Sequence, residues 1–165
     1  MRNSMIYANG AALFLLLVFA MSGAQARAQN QTPANVGPVA PVGGWTDPAT
    51  GLTWTKQDNG GNMNYWNDAK SFCANLKLGG YSDWRLPSFE ELQSINDPRS
   101  ASTMVYEGKS YPSGIKGGII LTGSMQWSAT QDSSGAALLL YFPSGHRQAH
   151  LPDYPKAGRA LCVRR

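Results

Sequence analysis

The residues best equipped for chemistry lie at the C-terminal end. His146, Arg147, His150, Lys156, Arg159, Arg164 and Arg165 fall within the last 20 residues, with Asp153 as the one acid among them. Imidazole, guanidinium and ammonium groups gathered in this way bind sulfate or carboxylate through charge-assisted hydrogen bonds. His146 and His150 are also the only histidines, hence the candidate general bases. Alternation along a strand sends both to one face and Arg147 to the other. The candidate ligand-binding residues are therefore His146, Arg147, His150, Lys156 and Arg159, with the 99–118 stretch as a wall. The competing reading is a solvated rim of two strands and a charged terminus.

Cys73 and Cys162 are the only cysteines and stand 89 positions apart. In an exported chain an even count makes one disulfide the first reading, with reactive or metal-binding thiols as the alternatives. Metal centres draw on several clustered Cys and His ligands, and neither histidine has a paired Cys motif nearby. No metal and no cofactor is expected. Trp66-Asn67-Asp68 spells a tripeptide that calcium-dependent lectins use, but calcium needs several converging oxygens. No Glu-Pro-Asn or Gln-Pro-Asp partner occurs, and the tripeptide is read as chance. Gly-x-Ser-x-Gly, P-loop and His-Glu-x-x-His motifs are absent as well. The expected function is binding rather than catalysis.

Around these residues the chain divides into three parts. Arg2 followed by the apolar run Ala11–Ala20 and the sites Ala24-Gln25-Ala26 and Ala26-Arg27-Ala28 predicts a secretory leader over 1–28. The run is about half of the 20 apolar residues that a membrane crossing requires. Residues 29–44, with Pro33, Pro38 and Pro41 and no apolar period, predict a linker. Residues 45–165 remain for one domain. Loss of Arg2 and Arg27 with the leader takes the net charge from +4 to +2, well short of a nucleic-acid-binding balance. No later segment is apolar enough to span a membrane, and a periplasmic or secreted location is expected.

Within the domain, Gly51–Thr55 alternates as a half-buried strand. Asp58–Asn62 is a turn. Trp66, Ala69, Cys73 and Leu76 predict a helix over 65–78, with Asn64 as N-cap and Gly79-Gly80 as the stop. Ser88-Phe89-Glu90-Glu91 is a capping box opening a second helix, which Asn96-Asp97-Pro98 ends. Trp84 is expected in the core, and Arg85 paired with Asp83, Glu90 or Glu91. Residues 99–118, rich in Gly and Pro, predict a long loop of the kind that carries binding. Ile119–Leu121 and Gln126–Ala129 are short strand candidates. Ala136–Phe142 predicts a central strand buried on both faces. His146–His150 is its hairpin partner, and Arg159–Arg164 a last strand.

Several of these pieces occur in a recognisable order. Gly51-Leu52-Thr53-Trp54, Ala69 to Cys73 and Gly80-Tyr81-Ser82-Asp83-Trp84-Arg85-Leu86-Pro87 come first. Glu91-Leu92, Trp127-Ser128-Ala129-Thr130 and Cys162-Val163-Arg164 follow. The series resembles the bacterial family named after the C-terminal domain of the Legionella collagen-like adhesin, over nearly all of 45–165. The resemblance implies a C-type-lectin-like α+β fold, two helices on a short-stranded, mostly antiparallel sheet. It implies that the Cys of the first helix is bridged to the Cys of the last strand. Formylglycine-generating enzymes share a related fold but need reactive cysteines. The resemblance further implies extracytoplasmic binding, of sulfated glycosaminoglycans in the namesake. This sequence departs from the family at one position: Leu161 precedes the final Cys where Arg is common, and Arg159 stands two residues earlier. The expected partner is a sulfated or acidic glycan. A structural module docking to an envelope protein through its loops is the alternative.

Overall fold

The computed structural model describes residues 43–153 and 155–165. The leader over 1–28 and all but the last two residues of the 29–44 linker lie outside the described residues. Chain order is β1 (Gly44–Thr46), β2 (Thr53–Thr55), α1 (Trp66–Asn75), α2 (Phe89–Ser94), β3 (Thr103–Tyr106) and β4 (Lys109–Pro112). Then come β5 (Met125–Gln131), β6 (Ala137–Tyr141), β7 (His146–His150) and β8 (Val163–Arg164). The strands form three small antiparallel sheets, ordered β1-β2-β8, β3-β4 and β5-β6-β7. Among the described residues the fold is α+β with two helices, as expected.

β6 organises the interior. Its run of aliphatic side chains is buried on both faces, because the alternate residues serve different apolar clusters. Leu138, Leu140 and Phe142 join Trp54, Leu92 and Leu161 on one side. Ala137 and Leu139 join Trp66, Trp84 and Trp127 on the other. The disulfide between Cys73 of α1 and Cys162, just before β8, lies within the second cluster and closes 89 positions of chain. β2 then ties the two ends of the domain together, with β1 on one side and β8 on the other.

Several local expectations are corrected. β2 is buried along its whole length rather than on one face. Its threonines tolerate burial because Thr53 Oγ1 meets Thr46 Oγ1 at 3.0 Å and Thr55 Oγ1 accepts from the Cys162 N–H at 3.2 Å. The first helix is capped at Tyr65, not Asn64, without a side-chain hydrogen bond, and stops at Asn75. Gly79-Gly80 is therefore not a helix stop. With φ of 63° and 81° it forms the tight turn of a small hairpin, in which Leu78 and Tyr81 exchange backbone hydrogen bonds. Residues 99–118 are not one long loop, since they contain the β3–β4 hairpin. Its turn is Glu107-Gly108, at φ 49° and 72°. Ile119–Leu121 forms no strand beyond a single bridge between Ile120 and Gln57. The last strand shrinks to Val163–Arg164, and Arg159 instead makes a parallel bridge to Gln126 at the edge of β5.

Candidate functional site

The second helix and the segment before it behave as their residue types dictate. Ser88 accepts from the Glu91 N–H, and the Glu91 carboxylate accepts from the Ser88 N–H at 2.8 Å, closing the capping box. The same carboxylate takes both guanidinium nitrogens of Arg85, at 2.6 and 2.7 Å. That hydrogen-bonded pairing holds the Glu91 carboxyl below its ordinary range, and the backbone donor at Ser88 adds to the effect. Arg164 pairs instead with Asp83 at 2.7 Å and lies over the Tyr81 ring at 3.6 Å. Trp84 is buried and donates from its indole to the Leu78 carbonyl. The Gly80–Pro87 motif is thus largely a brace between the last strand and α2.

A different region brings together two cations that have no ion-pair partner among the described residues. A cleft of about 390 Å³ is lined by Asn62, Tyr106, Gly123, Ser124, Met125 and the 155–159 segment, including Lys156 and Arg159. The ion pairs among the described residues are Arg85–Glu91, Arg99–Asp97 and Arg164–Asp83, so neither Lys156 nor Arg159 is matched by a carboxylate. Arg159 is nonetheless held rigidly by neutral acceptors. Its Nε donates to Thr122 Oγ1 at 3.1 Å, and Nη1 donates to the Asn62 side-chain oxygen.

Behind this arginine sits a buried acid, in the turn after β2. Asp58 accepts from the Thr122 N–H and Oγ1–H, both at 2.7 Å, and from Gln126 Nε2 at 3.1 Å. The Thr122 hydroxyl therefore donates its hydrogen bond to Asp58 and turns a lone pair to the Arg159 Nε–H. Asn59 of the same turn exchanges hydrogen bonds with the Ala160 backbone, fixing the segment that carries Arg159. The turn from Asp58 to Asn62 is the scaffold of the cleft, although its sequence suggested only a change of direction.

The five residues nominated from sequence do not converge on one spot. Lys156 and Arg159 share the cleft. His150 stands close enough to Lys156 to feel its charge: burial first, and then the Lys156 ammonium, lower its pKa. His146 pairs with Tyr141 across β6 and β7, and its Nδ1 meets Ser144 Oγ at 2.9 Å. The β6–β7 register puts His146 and His150 on one face, as alternation required, and Arg147 opposite Leu140 on the other. Arg147 is not brought to the cleft, and its charge acts instead on Asp132.

Three tyrosines complete the neighbourhood. Tyr106, Tyr111 and Tyr141, with Met104 and Ser124, line a second cleft of about 270 Å³ that shares Tyr106 and Ser124 with the first. Sequence reasoning marked the 99–118 stretch as a wall but singled out none of these rings. The signal was present in the Tyr106 and Tyr111 pair flanking Glu107-Gly108.

No helix among the described residues is long and apolar enough to cross a membrane. No curated protein matches the chain. A family model described as the Lcl C-terminal domain matches residues 43–164, from the start of β1 to the end of β8. That span contains the disulfide, both helices and every wall of the two clefts. This chain belongs to the Lcl C-terminal domain family.

Proposed function

We propose that this chain is an exported, non-enzymatic, C-type-lectin-like module that binds an anionic polysaccharide at the cell envelope or surface. The observation that carries the reading is the pair Lys156 and Arg159, two cations on one cleft wall with no carboxylate partner. Arg159 is only partly buried, and an arginine held by neutral acceptors rather than by an acid keeps its charge for a ligand. Membership of an adhesin-named family and the disulfide support an extracytoplasmic setting. The lectin-like assignment is supported by the β1-β2-β8 sheet, which joins the ends of the domain, and by the bridge from the first helix to the last strand.

The test is binding to heparin, as a sulfated probe, against an uncharged dextran over a range of salt. Heparin alone should bind, and its affinity should fall steeply with salt, because exposed ion pairs are screened within about 8–10 Å near physiological ionic strength. Lys156→Gln should weaken heparin binding and flatten the salt dependence, while Arg147→Ala, on the other face of β7, should leave both unchanged. Heparin binding that persists undiminished in molar salt for both wild type and Lys156→Gln would replace this reading with a protein-docking module.

A further inference from the structure

The tyrosine-lined cleft is the feature that charge recognition leaves unused. Its rings come from the β3–β4 hairpin and from β6, which is distant from the hairpin in sequence, and Met104 lines the space with them. In the β3–β4 register Met104 stands opposite Tyr111, and Tyr106 opposite Lys109, so all four share one face of the hairpin. Met104 is 6% exposed, whereas Tyr106 is 47% and Tyr111 40% exposed. The hairpin thus seals itself with Met104 and leaves two phenol rings open to solvent. Tyr141 faces them from the end of β6, beside His146.

Open aromatic rings above a shallow slot suit flat, amphipathic ligands. A pyranose ring has an apolar face of C–H bonds and an edge of hydroxyls. The tyrosine face accepts the former, while each phenol O–H offers a donor and an acceptor to the latter. Tyrosine supplies this area at little entropic cost, having only two side-chain torsions to fix. The walls of this cleft are Met104, Ser124 and the three tyrosines, with Lys109 on the same hairpin face opposite Tyr106. It shares Tyr106 and Ser124 with the cationic cleft as common walls.

We infer that the two clefts are successive subsites for one glycan chain: an acidic sugar unit lies against Lys156 and Arg159, and the adjacent unit stacks on the tyrosines. The inference rests on the anionic-polysaccharide reading and narrows it. The ligand class becomes an acidic polysaccharide recognised over at least two consecutive units, with Tyr106 as the wall common to both.

The experiment compares heparin-derived oligosaccharides of increasing length, with inorganic sulfate as the minimal anion, on wild type, Tyr111→Ala, Tyr141→Phe and Tyr141→Ala. Far-ultraviolet circular dichroism and melting of each variant establish that the hairpin survives. Affinity should rise sharply from sulfate to the disaccharide. Tyr111→Ala and Tyr141→Ala should each lower oligosaccharide affinity about three- to tenfold, the scale of one aromatic contact. Neither should change the slope of affinity against salt, and Tyr141→Phe should recover most of the loss because it restores the ring. Salt-dependent binding that ignores both length and the tyrosines would overturn the two-subsite inference and leave the charge reading intact. Loss of all salt-dependent binding in wild type would overturn the charge reading itself, and a protein ligand would then claim the slot.

Discussion

His150 shows how a neighbour converts a titratable group into a conditional one. Burial and the Lys156 ammonium both disfavour its imidazolium, so its pKa lies below the ordinary value of about 6.5. A bound polyanion reverses the balance, since a negative charge beside Lys156 favours the proton on His150. Binding should therefore be linked to proton uptake: affinity for heparin rises as pH falls through and below the ordinary histidine range, and His150→Gln abolishes that rise. The fold responds with the opposite sign. A histidine whose folded pKa is depressed contributes stability above its unfolded value, and that contribution is lost as pH falls through the folded one. Melting of the free protein between pH 7 and 5, set beside the binding series, separates the two effects. A wild-type affinity flat across that range would remove His150 from the site. Arg159 differs in kind, because a guanidinium engages an anion through its fixed fork of donors. What matters there is position, which Thr122 and Asn62 set and Asp58 supports from behind.

At the scale of elements, the short helix α2 depends on its ends. Six residues are too few to be helical alone, so the capping box and the Phe89 and Leu92 contacts do most of the stabilising. Ser88→Ala should cost about 1 kcal/mol, the usual value of such a cap, measured by chemical denaturation. Arg85 extends this cap to the C-terminal strand, since its backbone bridges Val163 in both directions while its side chain clamps Glu91. The Arg85 side chain is 45% exposed, so its ion pair is screened by solvent and is worth less than its geometry suggests. Glu91 has a lowered pKa, with the Arg85 hydrogen bond as the main cause. Its contribution is complete above the ordinary carboxyl range and disappears as pH falls through the lowered folded value. Glu91→Gln should lower stability at neutral pH and flatten the acid limb of the melting curve below about pH 4.5. An acid limb identical to wild type would mean that Asp83, Asp97 and Asp132, also lowered, account for it without Glu91.

For the whole molecule, the Cys73–Cys162 bridge is the largest single constraint. It closes 89 positions, and on the chain-entropy model a loop that long stabilises by roughly 4–5 kcal/mol. Labelling of the unfolded, unreduced protein should find no free thiol. The Cys73→Ala, Cys162→Ala double variant should lose a few kcal/mol in denaturant unfolding. Quantitative labelling of both thiols would contradict the bridge outright. Much of this architecture was legible in residue types. The α2 capping box is written in Ser88 and Glu91, the central strand in the aliphatic run ending at Phe142, and the β7 alternation in His146 and His150. Each of these signals is local: one turn of helix or one pleat of sheet fixes it, and the structure agrees. The errors share the opposite character. Gly79-Gly80 follows a helical stripe and reads as its stop, yet the pairing of Leu78 with Tyr81 makes it a hairpin turn. Residues 99–118 look aperiodic because Met104 is the only buried residue of the two hairpin strands, which leaves no alternation to read. The site lay furthest out of reach. Seven basic residues close in sequence suggested one patch, but the chain sends Arg164 to Asp83, Arg147 to the far face of β7, and only Lys156 and Arg159 to the cleft. Sequence settles which side chains alternate and which cap, because those depend on neighbours in the chain. Which charges stay unpaired, and which rings stand beside them, depends on contacts such as those of Arg159, which reach across 37 residues to Thr122 and 97 to Asn62. Only the packing of Asn62, Thr122 and Tyr106 around Arg159 decides that.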